Sequence, residues 1–269
     1  MRDPIRRRRG VRRDVCCEPN QIRIPDPGSR IPDPGSRFPF ISNMKQLIIA
    51  IDGPSGAGKG TIARAVAARL GYQHVDTGAM YRALAWRGLQ ESYDLTNESG
   101  LAALAARLDF DVCDGRVRVD GQDIATAIRT PEMDRAASVV ARQPRVREAL
   151  IARQRALGAA GGVVMEGRDI GTVVFPQAPV KIFLDASPEE RARRRATDPA
   201  HTSGKGPAAI PEVAVALAER DRLDRTRATS PLAVADDAVV IDTTTLSIDE
   251  AVDRVMDVVR QRTSQSRSL

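Results

Sequence analysis

Cysteine, histidine and aromatic residues are scarce in this 269-residue chain: three, two and 3%, with a single tryptophan. Two of the cysteines, Cys16 and Cys17, are adjacent and the third, Cys113, stands alone, so no disulfide framework is spelled out. With no paired Cys-x-x-Cys, a zinc site has nothing to be built from. Few aromatics leave few platforms on which single-stranded bases stack. Long apolar runs are missing as well. None approaches the roughly 18 residues that cross a bilayer, so no membrane partner is expected. The N-terminal arginine cluster is not followed by an apolar stretch of about 7 to 15 residues, so no secretory signal is read there and a cytoplasmic location is expected. An excess of positive charge is also missing from most of the chain. The net charge is +6, but residues 1–43 carry ten arginines against five acids, a net of +5. The remainder is nearly neutral, and no nucleic-acid partner is expected for it.

Residues 1–43 hold seven of the 17 prolines and a tandem repeat, IPDPGSR, at 24–30 and 31–37. Proline at that density interrupts helices and sheet ladders, so the segment reads as a disordered basic extension, with the natural start expected at Met44. One folded domain is expected over 44–262, followed by a flexible stretch at 263–269.

From Gln46 onward short apolar runs alternate with helical patterns. "LIIAI" leads into a glycine-rich loop, after which Ile62, Val66 and Leu70 recur at helical spacing until Gly71 stops the helix. "VVM" at 163–165, "VKIFLDA" at 180–186 and "AVVID" at 238–242 are further buried strands. Ser187-Pro188-Glu189-Glu190 and Ser247–Glu250 are capping boxes that open helices. The alternation predicts an α/β fold with a mainly parallel sheet covered on both faces. "FDVCDGRVRV" at 110–119 interrupts it, alternating Phe110, Val112, Val117 and Val119 around Asp114-Gly115 as a hairpin does. An inserted subdomain is therefore expected at about 95–130. Trp86, on a helical pattern, is expected in the core.

"GPSGAGKG" at 53–60 nearly fits the phosphate-loop pattern G-x-x-x-x-G-K-[ST]. Glycines let successive N–H groups converge on a phosphate, the following helix adds its positive end, and Lys59 reaches the outer phosphates as an exposed point charge. Gly60 and then Thr61 stand where the pattern has one Ser or Thr for the metal ion, the GKGT form of nucleoside monophosphate kinases. No Asn-Lys-x-Asp guanine-reading motif is present.

"DTGAMYR" at 76–82, "RVREAL" at 145–150, "EGRDIGTVVFP" at 166–176 and "ERDRLDRTRATSPL" at 219–232, together with the loop, resemble the bacterial cytidylate (CMP) kinases over about residues 46–260. The resemblance implies a P-loop three-layer fold with a five-stranded parallel sheet, a small antiparallel CMP-binding insertion and a lid at about 191–212. It implies ATP-dependent phosphorylation of CMP and dCMP to CDP and dCDP by direct in-line transfer, with Mg2+ bound alongside ATP and a monomeric enzyme. Carried over position by position, Gly53, Pro54, Ser55, Gly56, Ala57, Gly58, Lys59, Gly60 and Thr61 bind ATP. Thr77, Arg147 and Asp169 read the cytosine, and Ser138, Arg220 and Asp224 hold the sugar and nearby groups. Arg82, Arg168 and Arg227 grip the acceptor phosphate and the transferred group. Lys59, Arg168, Arg227 and Asp169 form the catalytic set, and the metal ligands are left open.

Physical chemistry accords with those roles. Cytosine carries an amino donor where uracil has a carbonyl, so a buried carboxylate such as Asp169 pairs with the first and repels the second. A phosphate monoester has its second pKa near ~6, so the attacking oxygen needs no general base. In-line alignment and neutralised charge are what the transfer demands, and arginines supply them. Arg222 and Arg225 are expected on a solvated face, while Asp76, Tyr81 and Glu166 stay open between structural and functional roles. Among Arg191, Arg194 and Arg195 the sequence does not choose a phosphate contact. The competing readings are a P-loop kinase for another small acceptor such as UMP, and a nucleic-acid-associated ATPase using the basic arm.

Overall fold

A computed structural model of the protein describes residues 47–198 and 206–265. The basic segment 1–43, the start at Met44, residues 199–205 of the lid segment and residues 266–269 lie outside the described residues. All those described belong to the unit Phe40–Leu269.

Five strands, β1 (Ile48–Asp52), β2 (Gln73–Asp76), β6 (Val163–Gly167), β7 (Val180–Asp185) and β8 (Val239–Asp242), form one sheet in the order β2-β6-β1-β7-β8. Every pairing in it is parallel. Alternation along β1 shows why two helix layers are needed. Ile49 and Ile51 point to one face and pack with Ile62, Val66 and Val255, while Ala50 points to the other and packs with Val75, Met80 and Met165. The first face is covered by α1 (Lys59–Leu70) and α8 (Ile248–Gln265). The second is covered by α2 (Thr77–Gln90), α3 (Glu98–Arg107), α4 (Pro131–Val140) and α5 (Pro144–Gly158). The expected three-layer α/β architecture is the one found. Trp86 packs on the margin of the second core and is only partly buried.

The helix boundaries follow the punctuation in the sequence. Gly71, at φ 66°, ends α1 with its N–H on the carbonyls of Ala67 and Ala68. Ser187 caps α6 (Pro188–Thr197) by accepting from the Glu190 N–H at 3.2 Å. Glu250 reaches back to the Ser247 N–H at 2.8 Å, closing the second capping box. Helix α8 runs to Gln265, into the stretch expected to be flexible. Helix α7 (Ile210–Thr226) packs on α6 through Ala192, Ala196, Val213 and Leu217.

The interruption differs in detail from the expected hairpin. Its strands β3 (Phe110–Asp111) and β4 (Arg118–Val119) pair over two residues only, and a third strand, β5 (Gln122–Asp123), follows a tight Asp120-Gly121 turn. Cys113 leaves this small sheet and bridges Val75 at the edge of β2, with the Asp114 N–H on the His74 carbonyl at 3.0 Å. The segment between β3 and β4 is thus spent on the main sheet's edge, which shortens the hairpin and ties it down. Strand β2 itself went unread. Its "QHVD" has no apolar run to announce it.

Candidate active site

The carboxyl ends of β1, β2 and β6 open into a cleft of about 680 Å³. Its floor is the loop between β1 and α1. Gly53 leaves the strand at φ 147°, where an added Cβ would lie 2.0 Å from the Leu184 carbonyl oxygen, so no side chain fits. Gly53, Pro54 and Ala57 are buried under the loop, while Ser55, Gly56, Gly58, Lys59, Gly60 and Thr61 line the cleft. Lys59 is not the exposed charge expected from the sequence. It is 7% exposed and donates to the Pro54 carbonyl at 2.7 Å. Burial, and then the nearby Arg168 guanidinium, push its amine down to about 7.

All nine acceptor-side residues expected from the sequence, Thr77, Arg82, Ser138, Arg147, Arg168, Asp169, Arg220, Asp224 and Arg227, line this same cleft. They come from α2, α4, α5, the segment after β6 and the end of α7. Asp169 sits at the centre, 6% exposed, with the Arg147 guanidinium hydrogen-bonded to its Oδ2 and Arg227 3.6 Å from its Oδ1. Arg147 is 1% exposed and lies over the Tyr81 ring, 5.5 Å from its centroid. Asp224 accepts from Arg168 Nε at 2.9 Å and lies 3.6 Å from Arg227. Burial drives the Asp224 carboxyl up, but Arg168, Arg220 and Arg227 outweigh it and hold the group below its ordinary range. Among the described residues Arg227 Nη2 and Arg82 Nε are buried without a hydrogen-bond partner. Buried donors of that kind call for an oxygen-rich ligand.

Several positioning contacts were not legible beforehand. Asp76 caps α2 through the Ala79 N–H and holds Arg82 Nη2 at 2.9 Å, which aims that guanidinium into the cleft. Thr77 Oγ1 donates to the Glu166 carbonyl at 2.7 Å. The Glu166 carboxylate stands over Gly60, 3.1 Å from where a Cβ would be, and its Oε1 meets His74 Nε2 at 3.0 Å. A Cβ at position 60 would crowd that carboxylate, which would have to give by a few tenths of an ångström to admit it. Of the arginines near the lid segment, Arg191 is withdrawn from the cleft. It is buried, bonded to the Ser55 and Ala186 carbonyls and paired with Asp221, and so braces the phosphate loop from behind. Arg193, Arg194 and Arg195 line the cleft instead. Arg222 is exposed and pairs with Glu219, and Arg225 is exposed.

The family model described as Cytidylate kinase matches residues 49–261. The chain belongs to the cytidylate kinase family. It is similar to the cytidylate kinase of Solibacter usitatus (strain Ellin6076), 46% identical over 226 residues that cover 84% of this chain and 97% of that protein. It is likewise similar to the cytidylate kinase of Bacillus subtilis (strain 168), 49% identical over 223 residues, 81% of this chain and 98% of that one. Among solved structures, a gluconokinase from Sinorhizobium meliloti 1021 matches at 16% identity and TM-score 0.45, over 84% of this chain and 98% of that one. The cytidylate kinase match spans both walls of the cleft, from the glycine loop to the arginines of α7 and the final helix. No helix among the described residues is long and apolar enough to cross a membrane.

Proposed function

We propose that the protein transfers the γ-phosphoryl group of ATP directly to CMP and dCMP, giving ADP with CDP or dCDP. The observation that carries this reading is one cleft in which Lys59 of the phosphate loop faces all nine acceptor-side residues. The loop's N–H groups and the Lys59 ammonium hold the donor phosphates. Thr77, Arg147 and Asp169 read the cytosine. The free Asp169 lone pairs accept from the exocyclic amino group and repel the carbonyl of uracil. Ser138, Arg220 and Asp224 take the sugar. Arg82, Arg168 and Arg227 hold the acceptor phosphate and the group in flight, and Arg227 Nη2, which has a 3.6 Å ion pair to Asp169 but no hydrogen bond, fits that use. An acceptor phosphate oxygen attacks the γ-phosphorus in line, the bond to the β,γ-bridging oxygen breaks, and its electron pair leaves with ADP. Because the acceptor's second pKa is near ~6, no side chain has to take a proton first.

Bound together with ATP, Mg2+ would supply positive charge against the negative charge of the transferred group. The oxygens present suit a hard cation: the Glu166 carboxylate stands beside Gly60, 3.1 Å from where a Cβ would be, and Thr61 lines the same cleft. We assign those two residues to hold it. The small sheet with α3 and α4, at about 95–130 and on to Ser138, is the CMP-binding insertion in this reading. The segment at 191–212 is the lid, with Arg193, Arg194 and Arg195 facing the phosphates as it closes. A monomeric enzyme in the cytoplasm belongs to the same reading.

The test is an acceptor panel of CMP, dCMP, UMP and AMP with ATP. CMP and dCMP are expected to have the highest kcat/KM, and faster turnover of UMP or AMP overturns the assignment. The same panel on protein lacking residues 1–43 is expected to be unchanged. Loss of all activity there favours an ATPase that works through the basic arm.

A further inference from the structure

Asp52 ends β1 and directly precedes Gly53 of the phosphate loop, and its carboxylate is 5% exposed. Each oxygen accepts one backbone N–H: Oδ1 from Ile170 at 2.8 Å and Oδ2 from Gly171 at 2.7 Å. These two amides open the π-helical turn Ile170–Val174, the piece of chain immediately behind Arg168 and Asp169. The ladder between β1 and β6 stops at Asp52 opposite Gly167. Beyond that pair no strand hydrogen bond holds the chain, and the Asp52 carboxylate takes over. The fit is close, since a Cβ on Gly171 would lie 3.4 Å from Asp52 Oδ2 and 3.2 Å from Lys181 Cδ.

We propose that Asp52 is a positioning residue for acceptor recognition: carried on the strand that leads into the donor loop, its carboxylate fixes the turn that presents Arg168 and Asp169. One side chain thereby sets the donor loop and the acceptor-reading pair relative to each other. It touches neither nucleotide and acts through the amides of Ile170 and Gly171. The inference rests on the CMP kinase reading given above.

Two charged groups face it, Asp169 from the turn and Lys59 from α1. Burial pushes the Asp52 carboxyl up to about 6, opposed by the two N–H bonds, with Asp169 adding to the rise and Lys59 reducing it. When the carboxyl gains its proton, an O–H donor confronts an amide donor and one tether is lost.

Asp52→Asn makes the same confrontation permanent. The KM for CMP is expected to rise about tenfold or more, the CMP-over-UMP ratio of kcat/KM to fall, and the KM for ATP to stay within about threefold. A lower melting temperature with both KM values and the ratio unmoved overturns the role, since it leaves Asp52 a purely structural carboxylate. A second readout uses the wild type and no variant. The amide protons of Ile170 and Gly171 are expected to titrate together with a midpoint of about 6. Affinity for cytidine, which lacks the phosphate that itself titrates near ~6, is expected to fall over the same range. Amides that do not titrate, or that titrate with cytidine affinity unchanged, overturn the proposal. A wild type that prefers another acceptor strikes the functional reading and this role with it. A CMP-preferring wild type whose Asp52→Asn form keeps its KM for CMP strikes the role of Asp52 alone.

Discussion

The two walls of the cleft are made of different materials. The proposed donor wall is one contiguous loop: Ser55, Gly56, Gly58, Lys59, Gly60 and Thr61 line the cleft, with a single lysine among them and no room for a side chain at Gly53. The proposed acceptor wall is side chain: arginines and carboxylates from five separate segments, locked in pairs such as Arg147–Asp169, Arg168–Asp224 and Arg82–Asp76. A backbone cradle is indifferent to the rest of the donor, because every residue but proline offers the same amide. A side-chain wall discriminates, because a buried carboxylate accepts a hydrogen bond from one base and repels another. It also carries a cost, since each buried charge must stay paired or hydrogen-bonded.

That contrast can be broken most sharply at Lys59. Lys59→Ala is expected to lower kcat by about 10²–10³ in steady-state assays, the scale of one lost transition-state charge contact. The melting temperature is expected to hold, because the amine removed is a buried one held below its ordinary pKa. A wild-type rate in that variant would end the assigned role. On the opposite wall, Asp169→Ala is expected to lower the CMP-over-UMP ratio of kcat/KM about tenfold and to destabilise the fold by about 3–5 kcal/mol, since it strands the Arg147 guanidinium in the interior. Competition kinetics and thermal melting check the two parts separately. An unchanged ratio with lowered stability would reduce the pair to a structural one.

The smallest effect is a proton count. Free Lys59 titrates at about 7 instead of 10.5, so the unfolded chain binds the extra proton between those values and the stability contribution of this group rises with pH across that window. A triphosphate bound beside the amine is expected to restore the ammonium. At pH 8 ATP binding is therefore expected to take up somewhat under about one proton, read by calorimetry in buffers of different ionisation enthalpy. Zero uptake would mean that Lys59 is already charged in the free protein.

The donor wall was legible in the sequence, and the acceptor wall only through resemblance. A glycine loop between a strand and a helix states its own geometry within nine residues. Arg168 and Arg227 are 59 positions apart, and no local pattern distinguishes them from Arg222, which faces solvent beside Glu219. Among Arg191, Arg194 and Arg195 the sequence leaves the choice open, and Arg191 proves to brace the loop, because burial and the Ser55 carbonyl cannot be seen from its helical position. Strand β2 escaped because Gln73 and His74 hide a strand at the sheet's edge, and β5 because two residues make no periodic signal.

By itself the sequence determined the elements and their punctuation: apolar strands, capped helices, a glycine loop that fits phosphate, and a nearly neutral body behind a basic extension. Only the tertiary structure decided which charges are buried and with whom. Local patterns report what a segment can do with its own backbone within a few residues. The partner of a guanidinium or a carboxylate is chosen by chain that arrives from elsewhere, at a desolvation cost that neither segment records alone.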